Sequence, residues 1–550
     1  MKLSMKKACS MLLAAAMTVS LLSVIPQGTA QAKKLSPKKR LARVSATKSI
    51  RIVYGDFDAN NQTVYLINEP SKVKVTYRSS NKKIAKVSKK GVVRAVAPGK
   101  CKVLTTVRYK GKKRTLKTSV NVVTVAPTTV STSAAIRAQE LGVTLPDNIH
   151  DSNIGASHLS ANGIATVDNG MMRTNISSRE LMFDMGNGWN LSNTMEATGD
   201  DYFTKKATVT EYETAWGMPV TTKEMIDGVK KAGFNTVRIP VAWSNMVTDE
   251  EHYTIPDAYF NRVEEIMNYC LSNGMYVIIN EHWDYGWFCQ FAQKSAKWQK
   301  KAWARYESYW TQIATRFREY SDHLIFESQN EELGTRFADP MDPKTGFETD
   351  ACYSYPVGKQ VKQYHDLCNA INQKFVDVVR STGGNNTYRH LLISGFDTSI
   401  DYTCLSKFKM PTDSASQDSG KIKMMVSVHY YDPSGFTIAS PDDNYYMDKW
   451  GSGAEYDALQ TSLDKMNKFT RQGYGVIIGE YSAYPGRQGC ESYLREVVSR
   501  SLKNGFVCCL WDTNSIYKRN DHRIGYCNLA QLYLDLGGVS GVADASLPDA

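Results

Sequence analysis

The chain has 550 residues, 42 % of them hydrophobic, which is enough to build a large core and two or three domains. Beyond the N-terminal segment no apolar run reaches the length of about eighteen residues that a bilayer requires, which excludes a membrane span in the mature chain. The net charge of +12 is unevenly spread, because residues 33–126 carry 25 Lys and Arg against 3 Asp and Glu. This asymmetry predicts two modules with different surroundings.

Residues 1–32 have the layout of a secretory signal peptide. Three lysines precede an apolar stretch from Met11 to Ile25, and an Ala-Gln-Ala tripeptide ending at Ala32 fits a small-residue cleavage site. A membrane anchor is the alternative interpretation, but the apolar run is too short and is followed too soon by polar residues. We therefore expect a secreted, extracellular protein.

Residues 33–125 have the pattern of a basic, all-β module. Short β-prone runs alternate there with turns at Gly91, Pro98-Gly99 and Gly111, as expected for a small β-sandwich. The stretch VTYRSSNKKIAKVSKKGVVRAVAPGK resembles the group 2 bacterial immunoglobulin-like domains. The resemblance implies a spacer or a surface adhesion module, and rarely a catalyst.

The positive charge of this module leaves its partner open. A basic module can bind nucleic acid, but export favours an anionic cell-wall polymer, and we expect no nucleic-acid partner. A solvated face without a specific partner is the remaining alternative.

The segment 126–175 begins with the Thr-, Ser- and Ala-rich stretch APTTVSTSAA and is predicted to be a linker, with the folding of its remainder left open. From residue 176 to 550, strand-like runs alternate with amphipathic stretches, which indicates a parallel sheet. The strand-like runs are GNGWNL, GFNTVRIPV, GMYVIIN, HLIFESQN, RHLLISG, KMMVSVHYY, YGVIIGE and GFVCCLWDT. The clearest amphipathic stretches are 256–273, 298–320, 358–382 and 454–472.

Eight strand–helix units over roughly 360 residues predict an α/β fold, the (β/α)8 TIM barrel. An open doubly wound sheet is the alternative, but no glycine-rich nucleotide loop follows the first strand. In a barrel the active site lies at the carboxyl ends of the strands. Polar and aromatic side chains collect at those ends: Arg238, His282, Asp284, Asn330, Glu331, Glu332, His429, Tyr431, Glu480, Trp511 and Asp512.

Two carboxylates from distant strands can face each other across a barrel mouth, which is what glycoside hydrolysis requires. One acid protonates the leaving oxygen; when the other attacks the anomeric carbon, the two lie roughly 5–5.5 Å apart and configuration is retained. Arg238 and Tyr431 can hydrogen-bond a carboxylate and keep it ionised, while a less solvated partner stays protonated. Trp511 can form a stacking floor for a sugar ring, although a tryptophan in a strand is more often core.

The segments around these residues resemble glycoside hydrolase family 5, and most of all its subfamily 4 of broad β-1,4-glucanases. The matching stretches, in order, are GWNLSNTMEA, ETAWGMP, GFNTVRIPVAW, YVIINEHWD, FESQNEELG, VSVHYYDP, VIIGEYSA and LWDT. The resemblance implies that Glu331 is the acid/base and that Glu480 is the nucleophile.

The same resemblance implies supporting roles for six residues: Arg238 and Tyr431 hold the nucleophile, Asn330 binds the 2-hydroxyl group, His282 and His429 line the cleavage subsite, and Trp511 is its sugar platform. Three positions depart from the family pattern. Ser192 replaces a glycine, Trp283 replaces a second histidine, and Glu332 replaces the proline after Asn-Glu. None of them removes a group that the chemistry needs, but Ser192 and Trp283 bear on substrate preference.

We predict a secreted, monomeric, retaining endo-β-1,4-glucanase that needs no cofactor or metal. A β-mannanase, xylanase, xyloglucanase or lichenase on the same barrel is an alternative. Two others are a catalytically inactive carbohydrate-binding or wall-anchored protein, and a metallohydrolase that uses His282, Asp284 and His429. Four further tryptophans near strand ends are candidates for stacking sugars along an open cleft: Trp189, Trp216, Trp243 and Trp287.

Three glutamates crowd the stretch FESQNEELG. Alternation along a strand turns Glu327 and Glu331 inward, so Glu327 is expected inside the barrel as a hydrogen-bonded structural group. Glu332 is expected to point away. Strict alternation would also turn Asn330 outward, so a kink or bulge is expected there.

Eleven cysteines include one in the signal segment. Disulfides are permitted in a secreted protein, but the irregular spacing does not reveal a pairing. The pair Cys508-Cys509 lies in an apolar run and is predicted to be buried. No paired C-x-x-C motif supports a zinc site.

Overall fold

The computed structural model describes residues 35–54, 61–124, 134–198 and 207–536. The predicted signal peptide lies outside these residues. Within them, no helix is both long and apolar enough to cross a membrane. The described chain forms two compact units, one holding residues 134–523 and the other holding residues 35–124 together with 524–535.

The smaller unit is a β-sandwich, which confirms the predicted immunoglobulin-like fold. One sheet has the strand order β2-β9-β8-β5, the other has the order β3-β7-β6, and β1 pairs with β4. The elements are helix α1 (Pro37–Arg43) and strands β1 (Ser45–Ala46), β2 (Ser49–Tyr54), β3 (Asn61–Thr63), β4 (Leu66–Ile67), β5 (Lys74–Ser79), β6 (Ala85–Val87), β7 (Val92–Ala95), β8 (Gly99–Tyr109) and β9 (Lys112–Thr124).

Alternation along the strands builds the core of this sandwich. Successive side chains point to opposite faces, so every second residue of β8 is buried, as Val103 and Val107 show. Val120 of the neighbouring strand β9 and Val93 of β7 in the other sheet belong to one core cluster with Val103, whereas Val107 packs with Leu41, Val44 and Leu66. The remaining positions of β8 face solvent and carry most of its charge.

Part of the predicted linker is folded. Helix α2 (Ala134–Glu140) is followed by an antiparallel hairpin made of β10 (Ile154–Leu159) and β11 (Ala165–Asp168). The carboxylate of Asp168 accepts hydrogen bonds from the backbone N–H of Ser321 at 2.9 Å and from its hydroxyl at 2.5 Å. The hairpin is thereby fixed to the larger unit.

The larger unit is a closed barrel of eight parallel strands, which confirms the predicted fold and rules out the open sheet. The barrel closes because β12 pairs with both β13 and β19. Each strand coincides with one of the apolar runs of the sequence. The strands are β12 (Gly188–Asn190), β13 (Thr236–Ile239), β14 (Tyr276–Asn280), β15 (Leu324–Glu327), β16 (Leu391–Ser399), β17 (Met424–His429), β18 (Gly475–Tyr481) and β19 (Val507–Leu510).

Helices surround the strands, and the four amphipathic stretches of the sequence correspond to α6, α7, α8 and α12 below. Helix α12 shows how such a helix begins, since Ser452 and Glu455 form a reciprocal capping box. The helices are α3 (Ser178–Met185), α4 (Val209–Thr214), α5 (Lys223–Lys231), α6 (Asp257–Leu271), α7 (Ala296–Arg316), α8 (Lys359–Ser381), α9 (Ile400–Thr403), α10 (Ser414–Ser419), α11 (Ser434–Thr437), α12 (Gly453–Thr470) and α13 (Cys490–Lys503). Short 3-10 segments span Asp284–Ala292, Thr335–Ala338 and Gly384–Thr387.

The barrel interior changes from apolar to polar toward the carboxyl ends of its strands. The apolar part contains Ile278, Ile325, Leu392, Met425, Ile477 and Val507. Nearer the carboxyl ends, inward positions are taken by the fully buried side chains of Arg238 and Glu327. A polar layer therefore forms the floor of the barrel mouth.

The ten cysteines in the described residues are free thiols, so no disulfide forms among them. Cys508 and Cys509 are buried, as predicted. Burial raises the pKa of the Cys508 thiol to about 12, which keeps it protonated.

The last described residues form a two-stranded ribbon, β20 (Tyr517–Lys518) and β21 (Arg523–Ile524), and helix α14 (Cys527–Leu536). Residues 524–535 belong to the sandwich unit, although the sequence analysis assigned them to the barrel domain. Cys527 is buried in the sandwich core, and Asp535 pairs with Arg51 of β2 at 3.5 Å.

Candidate active site

Arg238 is the centre of the hydrogen bonds at the carboxyl end of the barrel. Its Nε donates to Glu327 Oε2 at 2.6 Å, and its Nη2 donates to Asn330 Oδ1 at 2.9 Å. Its Nη1 donates to Glu480 Oε1 at 2.9 Å and to Asn190 Oδ1 at 3.1 Å. Because a guanidinium offers several donors in one plane, this single side chain orients groups from three other strands.

Glu480, near the end of β18, is held from two sides. Arg238 binds one carboxylate oxygen, and the Tyr431 hydroxyl donates to the other at 2.9 Å. Burial raises the pKa of Glu480, whereas Arg238 and the bond from Tyr431 lower it. The donors around this carboxylate favour its ionised form.

Glu331 has a different environment. Its Oε1 lies 2.7 Å from Nδ1 of His429, and burial raises the pKa of Glu331 to about 7, against the smaller opposing effects of Arg336 and Arg238. Burial also lowers the pKa of His429 to about 4, so its ring is neutral near pH 7. The two carboxyl groups thus have different protonation tendencies, as an acid and a nucleophile require.

The two carboxyl groups are close together. One oxygen of Glu331, one oxygen of Glu480 and a ring nitrogen of His429 all lie within 4.8 Å of one another. The sheet register brings this about, because His429 of β17 is paired with Glu480 of β18. Two carboxyl groups this close together are the pair that glycoside hydrolysis requires.

The chain leaves the strand conformation directly after Glu327, where β15 ends. Asn330 nevertheless turns its amide oxygen to Arg238, and its carbonyl accepts a hydrogen bond from Ser394 Oγ at 2.7 Å. The expected kink at Asn330 is confirmed. Glu327 lies inside the barrel, where Ser427 Oγ donates to its Oε1 at 2.7 Å, which confirms its structural role.

Glu332 is buried next to the acid candidate. Its Oε2 accepts a hydrogen bond from Gln329 Nε2 at 2.7 Å. Burial raises the pKa of Glu332 to about 8, so the group is largely protonated near pH 7. Of the three crowded glutamates, Glu331 alone faces both His429 and Glu480.

His282 and Trp511 form a stacked pair beside the carboxyl groups, with ring centroids 5.7 Å apart and planes inclined by 8°. Burial lowers the pKa of His282 well below its ordinary value. Trp511 remains partly exposed and can receive a sugar ring. The structure therefore places both predicted residues at the mouth.

The loop after β19, which carries Trp511, is fixed by buried polar contacts. Ser192 Oγ donates to the carbonyl of Asp512 at 2.5 Å, and Arg519 Nη2 donates to the carbonyl of Ser192 at 2.7 Å. The side chain of Ser192 is fully buried. The serine at this position therefore contributes a hydrogen bond that fixes the loop carrying Trp511.

Two strand-end carboxylates have structural roles. Asp284 accepts hydrogen bonds from the backbone N–H and hydroxyl of Ser244, at 3.0 and 2.6 Å, and from Trp287 Nε1 at 2.9 Å. Asp512 accepts from the backbone N–H groups of Ile516 and Tyr517, at 2.9 and 2.7 Å. Both fix loops around the mouth.

The additional tryptophans divide into two groups. Trp189, Trp243 and Trp287 are fully buried, so these three are core residues and cannot stack on a sugar. Tryptophan buries a large apolar area, which favours its use under the loops. Trp216 is partly exposed and lies beside Trp283, with ring centroids 6.3 Å apart.

Trp283 is held in an unusual backbone conformation. Its φ of 44° lies in the left-handed region, which non-glycine residues seldom adopt. Its Nε1 donates to Glu348 Oε1 at 2.8 Å, and Glu348 in turn pairs with Arg336. A Cβ atom at Gly286 would lie 2.1 Å from Oε2 of Glu348, so a glycine is required there. The backbone conformation of Trp283, the ion pair between Arg336 and Glu348, and the space left by Gly286 together position the Trp283 indole.

Two contributors to the site, Asn190 and Gly479, were not predicted. Asn190 donates to the carbonyls of Gly479 and Cys509 at 2.9 and 3.1 Å, and so joins the ends of β18 and β19. A Cβ atom at Gly479 would lie 3.0 Å from Ser427 Oγ and 3.1 Å from His429 Nε2. The strand-end rule could have found Asn190, whereas the need for a glycine at 479 is visible only in three dimensions.

A closed (β/α)8 barrel with two buried carboxyl groups at its carboxyl end, oxygens within 4.8 Å, has the architecture of a glycoside hydrolase. Family models agree with this class. The model Cellulase (glycosyl hydrolase family 5) matches residues 196–516, and the model Bacterial Ig-like domain (group 2) matches residues 43–118. The chain belongs to glycosyl hydrolase family 5.

Known relatives are similar over the same region. Endoglucanase A of Paenibacillus barcinonensis is 33 % identical over 366 residues, which cover 61 % of this chain and 82 % of the relative. The xyloglucan-specific endo-β-1,4-glucanase BoGH5A of Bacteroides ovatus is 32 % identical, covering 65 % and 69 %.

Solved structures give the same result. A GH5-4 broad specificity endoglucanase from an uncultured bovine rumen ciliate has a TM-score of 0.54 at 31 % identity, covering 66 % of this chain and 98 % of that one. A lichenase of this family from Caldicellulosiruptor sp. F32 in complex with cellotetraose has a TM-score of 0.57 at 32 % identity, covering 66 % and 96 %.

Proposed function

We propose that this glycoside hydrolase is a retaining endo-β-1,4-glucanase. The observation that carries the proposal is the approach of Glu331 and Glu480 to within 4.8 Å, with Arg238 and Tyr431 bonded to Glu480. Relatives named endoglucanases support the choice of a β-1,4-glucan. The alternative substrates for an enzyme with this barrel fold are xyloglucan, mixed-linkage glucan, mannan and xylan.

In the first step, ionised Glu480 attacks the anomeric carbon while Glu331 donates its proton to the leaving oxygen. The C–O bond to the leaving sugar breaks, and a bond forms between the sugar and the Glu480 carboxylate. Arg238 and Tyr431 orient the attacking group. The amide oxygen of Asn330 accepts a hydrogen bond from Arg238, which leaves its amide NH₂ group able to donate to a sugar hydroxyl.

In the second step, Glu331 has lost its proton and removes one from an incoming water. The water oxygen attacks the anomeric carbon, the bond to Glu480 breaks, and the product keeps its original configuration. Proximity of Arg336 and Arg238 stabilises the anionic Glu331 at this stage. His429, neutral near pH 7, bridges the two carboxyl groups without adding a charge.

The experiment is the replacement of each carboxyl group. Glu480→Ala and Glu331→Ala should each lower kcat on a soluble β-1,4-glucan by about 10³-fold or more, since each removes a group that reacts. Circular dichroism should show a folded protein. Azide should restore activity to Glu480→Ala with inverted product, and full activity in either variant would refute the assignment.

Glu332→Gln is the matched control. Glu332 is adjacent to Glu331 in sequence and equally buried, but it bonds to Gln329 and is largely neutral near pH 7. Glutamine reproduces the size and neutrality of the protonated acid. We expect kcat to stay within about threefold of the parent, well inside the loss expected from removing a reacting acid.

A metal-dependent hydrolase is the second candidate. In the described part of the chain, one group of side chains could hold a cation, namely Glu331, His429 and Glu480. It does not include His282 or Asp284, which the metal hypothesis needs. We expect hydrolysis to survive extensive dialysis against a chelator, and a loss that zinc or calcium restores would favour the metal mechanism.

We further propose that the protein is secreted and acts as a monomer. The N-terminal charge and apolar pattern support secretion. Within this proposal, residues 33–125 and 524–535 form a surface-contact module, residues 176–523 form the catalytic domain, and residues 126–175 connect the two along the chain. N-terminal sequencing of protein from the culture medium tests the cleavage after Ala32, and light scattering tests the monomer.

A further inference from the structure

One face of the sandwich is uniformly basic. In the sheet β2-β9-β8-β5, the inward positions are apolar and the outward positions alternate with them. No Asp or Glu occurs in any of these four strands. The outward cations of β5, β8 and β9 are Lys74, Arg78, Lys100, Lys102, Arg108, Lys113 and Lys117, and all are exposed.

The sheet register places like charges directly opposite each other. Lys74 of β5 pairs with Arg108 of β8, and Arg108 pairs with Lys113 of β9. Adjacent strands are about 4.8 Å apart, so the three cations form one row across the sheet. Like charges placed directly opposite destabilise a sheet. Repulsion between these cations therefore destabilises the sheet, and their exposed side chains do not contribute to the packed core.

The protein neutralises little of this face. Asp535 of α14 pairs with Arg51 of β2 at 3.5 Å, but within the residues that the structure describes the seven cations of β5, β8 and β9 form no ion pairs with carboxylates. By contrast, the inward Arg114 of the same strand β9 is fully engaged, since its Nη1 donates to the carbonyls of Leu41, Ala42 and Val44 at 2.7, 2.6 and 2.7 Å. Cations on the inner side serve the fold, while those on the outer side remain available.

We propose that this face, which we call the basic face, binds a linear acidic polysaccharide whose uronate carboxylates follow the rows of cations. A flat sheet with charges repeated along and across its strands complements an extended chain with one charge per sugar. The choice of a glycan rests on the other unit of the same chain, which is a glycoside hydrolase. Binding would hold the enzyme on a wall that contains both neutral and acidic polysaccharides.

The composition of the face disfavours two other polyanions. Binding of single-stranded nucleic acid relies on aromatic side chains that stack on bases, and the outward positions between the cations hold Thr76, Leu104, Thr106 and Thr115 instead. Thr106 and Thr115 bond to each other at 3.2 Å on this surface. Membrane-surface binding needs an apolar face that enters the lipid, which a row of threonines does not supply.

The test compares two variants of the full chain with equal charge loss. Lys74→Gln/Arg108→Gln/Lys113→Gln removes the central row, and Lys82→Gln/Lys86→Gln/Lys89→Gln removes exposed lysines of the β5–β6 and β6–β7 region. Binding to labelled polygalacturonate is measured by anisotropy at low and high salt. We expect the first variant to bind about tenfold weaker or more, and the second to stay within about twofold, because only the first removes charges facing the ligand.

Three outcomes would overturn the proposal. Equal losses in both variants would show that only net charge matters. Tighter binding to single-stranded DNA of equal charge would indicate a nucleic-acid surface, and tighter binding to polyphosphate would indicate a phosphate ligand. Melting curves verify folding, and unchanged binding by Glu331→Gln separates this face from the catalytic site.

Discussion

The side chains around Arg238 show how one buried cation can serve two carboxylates with different tasks. Glu327 has both oxygens bonded, to Arg238 and to Ser427, and is therefore fixed inside the barrel. Glu480 shares the same guanidinium but turns its second oxygen to Tyr431 at the mouth. The inner carboxylate neutralises and orients the arginine, and the outer one is presented to substrate.

The pH dependence of hydrolysis follows from the two carboxyl groups. Burial raises the pKa of Glu331 to about 7, and the first step needs its protonated form, so kcat/KM should fall as pH rises through 7. At the acid end, activity should fall as Glu480 gains a proton. A pH profile on a soluble glucan checks this, and a rate still rising in alkaline solution would contradict the assignment of Glu331.

Trp283 is predicted to shape substrate preference. Its indole is positioned by Glu348 and lies beside Trp216, so a sugar ring can stack there. Trp283→Ala should raise KM for long glucans by about three- to tenfold, with kcat on a short chromogenic substrate unchanged.

Trp283→His introduces the residue that the family pattern has at this position, and the ranking of xyloglucan, mixed-linkage glucan and cellulose should change. The matched control is Trp310→Phe, a buried tryptophan of α7. It should lower stability without changing KM. An unaltered KM in Trp283→Ala would show that the indole only packs.

Many individual residues of the site could be predicted from the sequence. Arg238, Glu331 and Glu480 stand out because each follows an apolar run, which is visible in the sequence. Asp284 and Asp512 stand out equally, but Asp512 accepts hydrogen bonds from nearby residues of its own loop, whereas the structural role of Asp284 depends on partners such as Ser244, 40 residues away in the chain. Such partners are set by tertiary contacts that local pattern does not encode.

Strand β18 shows that two glycines of one element can have different roles. It carries two glycines, Gly475 at its start and Gly479 next to Glu480. A Cβ at Gly479 would press on Ser427 and His429, whereas a Cβ at Gly475 would lie 2.8 Å from Met425 Cγ, in the apolar part of the barrel. The same substitution therefore has different consequences along one strand.

We predict that Gly479→Ala lowers kcat by about tenfold or more, since displacement of His429 disturbs the acid Glu331. Gly475→Ala should lower the melting temperature and leave kcat unchanged in the remaining folded protein. Stopped assays on soluble glucan and thermal melts measure both. Equal catalytic losses in the two variants would contradict a specific role for the space at residue 479.

Strand and helix positions were predictable because the hydrophobic pattern changes between the two modules. The barrel strands are buried on both faces and appear as continuous apolar runs, while the sandwich strands alternate. The sequence pattern did not predict that helix α14 belongs to the sandwich, because an amphipathic helix does not specify which core receives it.

At the scale of the whole molecule, the sandwich contains segments from both sides of the barrel sequence. Strands β1–β9 precede the barrel, and α14 follows it with Cys527 in the sandwich core. The catalytic unit is therefore an insertion within the sandwich unit along the chain. The two termini of the inserted unit are tied to one and the same small domain.

A cut in the chain provides the test. A protease site introduced between residues 125 and 133 would separate β9 from the barrel, but α14 would still hold the sandwich strands through its core contact. We expect the two fragments to elute together in size-exclusion chromatography. Cys527→Asp, which places a charge in that core, should let them separate. Immediate separation of the parent fragments would contradict the role of α14.

This arrangement gives α14 the function of a second tether. An enzyme joined to its surface module by one connection is released into solution once that connection is cleaved. Here we expect a single cleavage to leave the barrel attached, because α14 remains packed in the sandwich core. We therefore expect attachment of the barrel to tolerate one cleavage of the connecting segment, a property that depends on residues 527–536 rather than on the active site.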